Sequence, residues 1–145
     1  MSTKIPEGYH SLQPYLIYTD TTKAIAFYAQ AFGVREKMRM QDTTGRIIHA
    51  EVVLGDSVMM MADEHPEIGA YSPEHYKGSP ISLMLYMEDC DMTYKQALAA
   101  GATSLREPAD QDYGDRMSGV QDPFGYKWWI AHSLGKSEAQ SGKES

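Results

Sequence analysis

The chain has 145 residues, a formal charge of −7 at pH 7 and one cysteine, Cys90. That length suffices for one domain with a core of its own, and a lone cysteine excludes an internal disulfide and fits a reducing cytoplasm. An isoelectric point near 5.1 with scattered Lys and Arg argues against nucleic acid, and no stretch approaches the ~20 apolar residues needed to cross a bilayer, so neither partner is expected.

Met1 to His10 offers no apolar signal region. His10 to Tyr18 reads as a strand with Gln13, Tyr15 and Ile17 on one face and Pro14, Leu16 and Tyr18 on the other. Asp20 then suits an N-cap, and Ala24, Ile25, Tyr28, Ala31 and Phe32 form a helical apolar stripe that stops at Gly33. Val34 to Gln41, Ile47 to Leu54 and Val58 to Ala62 follow as strands, joined by turns at Asp42-Thr43-Thr44-Gly45 and Gly55-Asp56. Glu64 to Ser79, with two prolines and two glycines, reads as a linker.

The second half predicts a strand over Ile81 to Met87, a helix over Asp89 to Ala100, and strands over Ala102 to Glu107, Gly114 to Gln121 and Tyr126 to Ala131. Asp122-Pro123-Phe124-Gly125 is the last turn. From Ser133 onward the polar composition predicts a disordered tail. The halves repeat one order of signals. With Gly33 set over Gly101, Tyr18 falls over Tyr86, Asp20 over Glu88 and Ala31 over Ala99.

The fold class expected is therefore α+β, with two tandem β-α-β-β-β modules at about 10–63 and 80–132. Phe27-Tyr28 ahead of Ala31-Phe32-Gly33, Gly45-Arg46-(x)-(x)-His49-Ala50-Glu51, Gly55-Asp56-Ser57, Tyr113-Gly114-Asp115-Arg116 and Asp122-Pro123-Phe124-Gly125-Tyr126 resemble the vicinal oxygen chelate superfamily from Leu12 to His132. That group includes glyoxalase I, bleomycin- and fosfomycin-resistance proteins and extradiol dioxygenases. The branch most similar is labelled glyoxalase-like or demethylubiquinone methyltransferase-like. The resemblance implies curled mixed sheets that form a cleft, helices on the outer faces, and a homodimer.

Metal-dependent members hold a divalent ion with His or Glu from the first and last strands of each module. The matching positions here are Gln13, Met60, Ser82 or Met84, and Trp129. Only Gln13 offers even a weak oxygen donor of the expected kind, and a thioether or indole does not replace imidazole or carboxylate for such a cation. The expectation is thus no metal and no cofactor. Gln13, Tyr15, Met60, Met84, Tyr86 and Trp129 would line a cleft for a small, partly aromatic ligand, a binding role rather than catalysis; the alternative is a lyase, isomerase or oxygenase that uses a metal site not recognised at these positions, or His49 and Glu51.

His49 and Glu51 project from one strand face. They could bind the ligand or move a proton as an acid–base pair in a lyase, isomerase or oxygenase, or simply bond to neighbouring side chains. Neighbours on one face stand about 7 Å apart, so direct contact is expected to need a third group. Arg116 would either grip an anionic group of the ligand or form an internal salt bridge between neighbouring strands. Met59, Met60, Met61 and Met84 are either core or an adaptable pocket lining, and Trp129 could stack on a flat ligand. Cys90 reads as a small buried residue and His132 as a rim position.

Overall fold

The computed structural model describes residues 4–135, which divide into two compact units at Lys77/Gly78. In the first unit, β1 (Tyr15–Tyr18), α1 (Thr21–Phe32), β2 (Arg35–Gln41), β3 (Ile47–Leu54) and β4 (Ser57–Asp63) form a sheet of order β1-β4-β3-β2 with one helix. A short α2 (Pro73–Tyr76) follows. The second unit holds β5 (Ser82–Tyr86), α3 (Cys90–Ala100), β6 (Thr103–Asp110), β7 (Asp115–Gln121) and β8 (Lys127–Ser133), ordered β5-β8-β7-β6. In each sheet the first and last strands pair in parallel and the other neighbours antiparallel. The class is α+β with tandem β-α-β-β-β modules, as the sequence pattern predicts.

Each helix starts and stops where its sequence dictates. Asp20 accepts the Lys23 amide and Asp89 accepts the Met92 amide. Gly33 closes α1 at φ 74, a left-handed conformation that glycine adopts without a side-chain clash. The buried side of α1, with Ala24, Tyr28 and Ala31 fully covered, packs on the sheet face that carries Leu16, Tyr18, Ala50, Val52 and Met61. The Tyr18 and Tyr28 hydroxyls meet there at 2.7 Å. The opposite face of the sheet carries Tyr15, Ile17, His49, Glu51 and Met60. Among the described residues, no helix is long and apolar enough to cross a membrane.

Several boundaries differ from those expected. The first strand begins at Tyr15 rather than His10, because Pro14 has no N–H for a ladder, although its carbonyl still accepts the Met60 amide at 2.9 Å. Most of the segment read as a linker, up to Lys77, is structured as part of the first unit: His65 bridges Ala70, Pro66–Ile68 forms a 3₁₀ turn, and the Glu64 carboxylate accepts both the amide and hydroxyl of Ser72. Ser133, expected to open a tail, completes β8, and the Leu134 amide bonds to the Gly114 carbonyl. The rest of the expected tail, 136–145, lies outside the described residues.

The strand ladders also correct the internal alignment. Met60 pairs with Tyr15 and Glu51, and its counterpart Trp129 pairs with Met84 and Gly119. Tyr15 therefore corresponds to Met84, Ile17 to Tyr86 and Tyr18 to Met87. Helix α1 has 12 residues and α3 has 11, so a spacing taken from the closing glycines slips by one residue in the strands. The caps obey the strand spacing, with Asp89 rather than Glu88 matching Asp20.

Candidate functional site

Glu51 is 7% exposed on the helix-free face of the first sheet. A buried carboxylate needs partners. One oxygen accepts the Tyr9 hydroxyl, and the other lies 2.8 Å from His49 Nε2. Burial pushes the Glu51 carboxyl up, but the hydrogen bonds from Tyr9 and His49, with the His49 and Lys37 charges, outweigh it and hold it below its ordinary value. The Lys37 ammonium sits 4.0 Å from the centroid of the Tyr9 ring.

The expectation that His49 and Glu51 need a third group for contact does not hold. The imidazole leans along the strand and bridges the gap directly. It also reaches across the sheet: Nδ1 lies 2.8 Å from the Tyr15 hydroxyl, although β4 separates their strands. Strands separated by one neighbour are about 9.6 Å apart, so two long side chains must meet above the strand between them. Ala62 on β4, one residue past the Ala50–Met61 pair, is small enough to leave room. In the neutral ring, Nε2–H donates to Glu51 and Nδ1 accepts from Tyr15. Burial, then the Glu51 charge, pushes the Tyr15 phenol above its ordinary value.

Beside Tyr15 opens a cavity of about 240 Å³. Ile17, Ile48, Ala62 and Ile68 give it apolar walls, and Arg46 and His65 bring polar groups to it. Ile48 faces it because β3 is irregular there: Met40 pairs with His49 and Gln41 with Ile47, which leaves Ile48 outside the ladder. Tyr9, Lys37, Arg46 and the 65–70 segment are the site groups that the sequence reading missed. Tyr9 and Lys37 have no periodic signal, since their roles depend on contacts far along the chain. Arg46 lay inside a quoted motif without a role.

The other expected site residues are placed as follows. The Gln13 side-chain oxygen accepts the His10 amide at 2.6 Å. Met60 lies between Tyr15 and Glu51 in the ladder. On the helix-free face of the second sheet, Met84 is exposed, the Tyr86 hydroxyl donates to Asp115 at 2.6 Å, and the Trp129 ring covers Gly119. The hydrogen bond to Asp115 raises the Tyr86 phenol above its ordinary value, with burial adding to it. Of the two roles expected for Arg116, the structure forms the internal salt bridge, with Asp110 on the neighbouring strand and also with α3, rather than a cleft position. Arg116 shares its parity on β7 with Ser118 and Val120, which face α3, and its guanidinium bonds to Asp91 of α3 at 2.6 and 3.1 Å and to Asp110 at 2.9 Å.

His132 is likewise tied to the fold, its Nδ1 accepting the Cys90 amide at 2.8 Å where α3 begins. Asp63, at the same place in the first unit, accepts the Thr21 amide where α1 begins. Cys90 is buried, and that burial pushes its thiol up.

The second unit does not repeat the polar chain: Met84, Met117 and Gly119 stand where the first unit has Tyr15, His49 and Glu51. The residues at the superfamily's metal positions do not fit such an ion. Met60 and Trp129 are not donors for it, the Gln13 oxygen is already engaged, and Ser82 is a lone hydroxyl. Among the described residues, no three His, Cys, Asp or Glu side chains gather as a metal-binding group.

Residues 10–130 match the family described as Glyoxalase/Bleomycin resistance protein/Dioxygenase superfamily. An uncharacterized protein from Mycobacterium bovis is 35% identical over 127 residues, which is 86% of this chain and 84% of that protein. TioX from Micromonospora sp. ML1 superposes with a TM-score of 0.65 at 25% identity, covering 86% of this chain and 96% of that one. The fosfomycin resistance protein FosX from Listeria monocytogenes, solved with Mn(II) and a dihydroxypropylphosphonic acid, has a TM-score of 0.65 at 14% identity, over 92% of this chain and 95% of that one. The last likeness is one of fold alone. With the family matched across nearly the whole folded length, the chain belongs to the Glyoxalase/Bleomycin resistance protein/Dioxygenase superfamily.

Proposed function

We propose that the protein binds a small, partly aromatic molecule on the helix-free face of its first sheet, without a divalent metal, and that it acts as a homodimer. The observation that carries this reading is the chain from buried Glu51 through His49 to exposed Tyr15. Both imidazole nitrogens are engaged within it, so no ring nitrogen is left to take a proton from a ligand. The outermost group is a phenol raised above its ordinary value, away from the pKa near operating pH that suits a general base. A phenol held in place beside an apolar cavity is instead a hydrogen-bonding handle for a flat ligand.

A second reading rests on the continuity of the same chain. A phenol that stays protonated can donate as a general acid in a metal-free lyase or isomerase, held in place by His49 and regaining its proton from water at the exposed hydroxyl. A thermal-shift screen of aromatic metabolites and antibiotics, followed by calorimetry, tests both. On the binding reading, a ligand raises the melting temperature unchanged chemically, and Tyr15→Phe weakens it by roughly threefold to tenfold, the worth of one hydrogen bond. Turnover of the ligand that His49→Gln abolishes would establish the second reading in its place. A stoichiometric divalent ion that resists mild chelation would overturn the metal-free part.

A further inference from the structure

The cavity beside Tyr15 has a distinctive charge arrangement at its edge. Both oxygens of Asp63 are committed to backbone amides, those of Thr21 at 2.8 Å and Ile47 at 2.9 Å. Arg46 is held far more loosely. Its Nη1 lies 3.8 Å from Glu67 Oε1, and the same oxygen is 3.6 Å from His65 Nε2. Both separations exceed an N–H···O hydrogen bond. The Glu67 side chain is 67% exposed, so little holds it there. A carboxylate of the chain itself thus hovers between two nitrogen groups at the edge of an aliphatic recess.

We propose that this recess binds a small monocarboxylate with a compact apolar body, such as an arylacetate, whose carboxylate takes the place of Glu67 between Arg46 and His65. The proposal rests on the ligand-binding reading of the same sheet face and adds the ligand's class. The planar guanidinium can grip a carboxylate through two parallel hydrogen bonds, a geometry that Glu67 does not reach. Ile17, Ile48 and Ile68 supply the apolar contact. A volume of about 240 Å³ lies below the usual range for drug-sized ligands and suits one ring with a short side chain.

Phenylacetate and its neutral isostere phenylacetamide separate this proposal from simple apolar binding. In amide NMR spectra of the whole chain, phenylacetate is expected to shift Arg46, Ile48 and residues 65–70 saturably, and phenylacetamide to bind about tenfold more weakly, as loss of a charge-assisted hydrogen bond requires. Arg46→Met should weaken phenylacetate by about tenfold, while Glu67→Gln, which removes the competing carboxylate, should tighten it by roughly twofold to threefold. Equal binding of acid and amide, an unaffected Arg46→Met variant, or no shift at these residues up to about 10 mM phenylacetate, a concentration that reveals even millimolar binding, would overturn the proposal. If an aromatic ligand instead shifts His49 and Met60 and ignores Arg46→Met, this proposal fails and the broader reading stands. If no ligand raises the melting temperature, both fail.

Discussion

Glu51 shows how one residue ties stability to the site. Its carboxylate is buried and charged because Tyr9 and His49 donate to it, one to each oxygen. In Glu51→Gln the side-chain amide presents an N–H₂ to one of those donors, which leaves a clash or an unmet group worth about 1–3 kcal/mol at neutral pH. The linkage sign follows from the lowered carboxyl. The unfolded chain binds the proton more readily, so the stabilisation is fully present above the ordinary value of 4.5 and is lost as pH falls through the lower folded value. Urea denaturation from pH 7 down to pH 3 should therefore show a steeper loss for the native chain than for Glu51→Gln. Parallel acid limbs would mean that Glu51 is not held charged in the fold. The same substitution should loosen His49 and with it the Tyr15 hydroxyl, because the imidazole loses the group that fixes its tautomer.

At the scale of elements, β7 and β8 depend on one glycine. A Cβ on Gly119 would stand 2.2 Å from Cζ3 of Trp129 and 2.4 Å from its Cε3. Gly119 is not in a left-handed conformation, so the constraint is purely steric. Gly119→Ala must push the indole off the sheet, at a cost of about 1–3 kcal/mol for overpacking. Thermal unfolding and the Trp fluorescence maximum should both move, and a Gly119→Ala, Trp129→Leu double variant should recover most of the stability. A fully additive double variant would show that the ring is not what the methyl meets. This contact also marks where sequence reading stops. The element order within each module, the Asp20 N-cap, the Gly33 stop and the helix-facing parity of Leu16 and Tyr18 follow from local periodicity and were legible. The flat lie of Trp129 on Gly119 joins two strands ten residues apart, and no local pattern encodes it. The Tyr15–His49 contact was hidden for the same reason: it spans β4 and depends on Ala62 being small. The one-residue slip between the helices then concealed which residues of the two halves correspond.

For the whole molecule, the two units keep one frame and diverge on the face that no helix covers. The first presents Tyr15, His49, Glu51 and Met40, and the second presents Met84 and Tyr86 with Trp129 laid on Gly119. Duplication conserves what the helices pack against, because that side fixes stability, and leaves the other side free to change. Large apolar side chains remain open there: Met40 and Met84 are each 48% exposed and Tyr86 is 60% exposed. A second copy of the chain would remove such surface from water, in line with the proposed homodimer. Sedimentation at micromolar concentration should then give about twice the 16.2 kDa of one chain. Met84→Lys should shift it toward the single-chain mass without unfolding it, since that side chain is not in the core of its own chain. A native mass of one chain at tens of micromolar would remove the dimer from the proposal, and a Met84→Lys variant that stays dimeric would place the contact elsewhere. Neither outcome touches the Arg46 cavity, which belongs wholly to the first unit, so ligand binding and assembly can be judged separately.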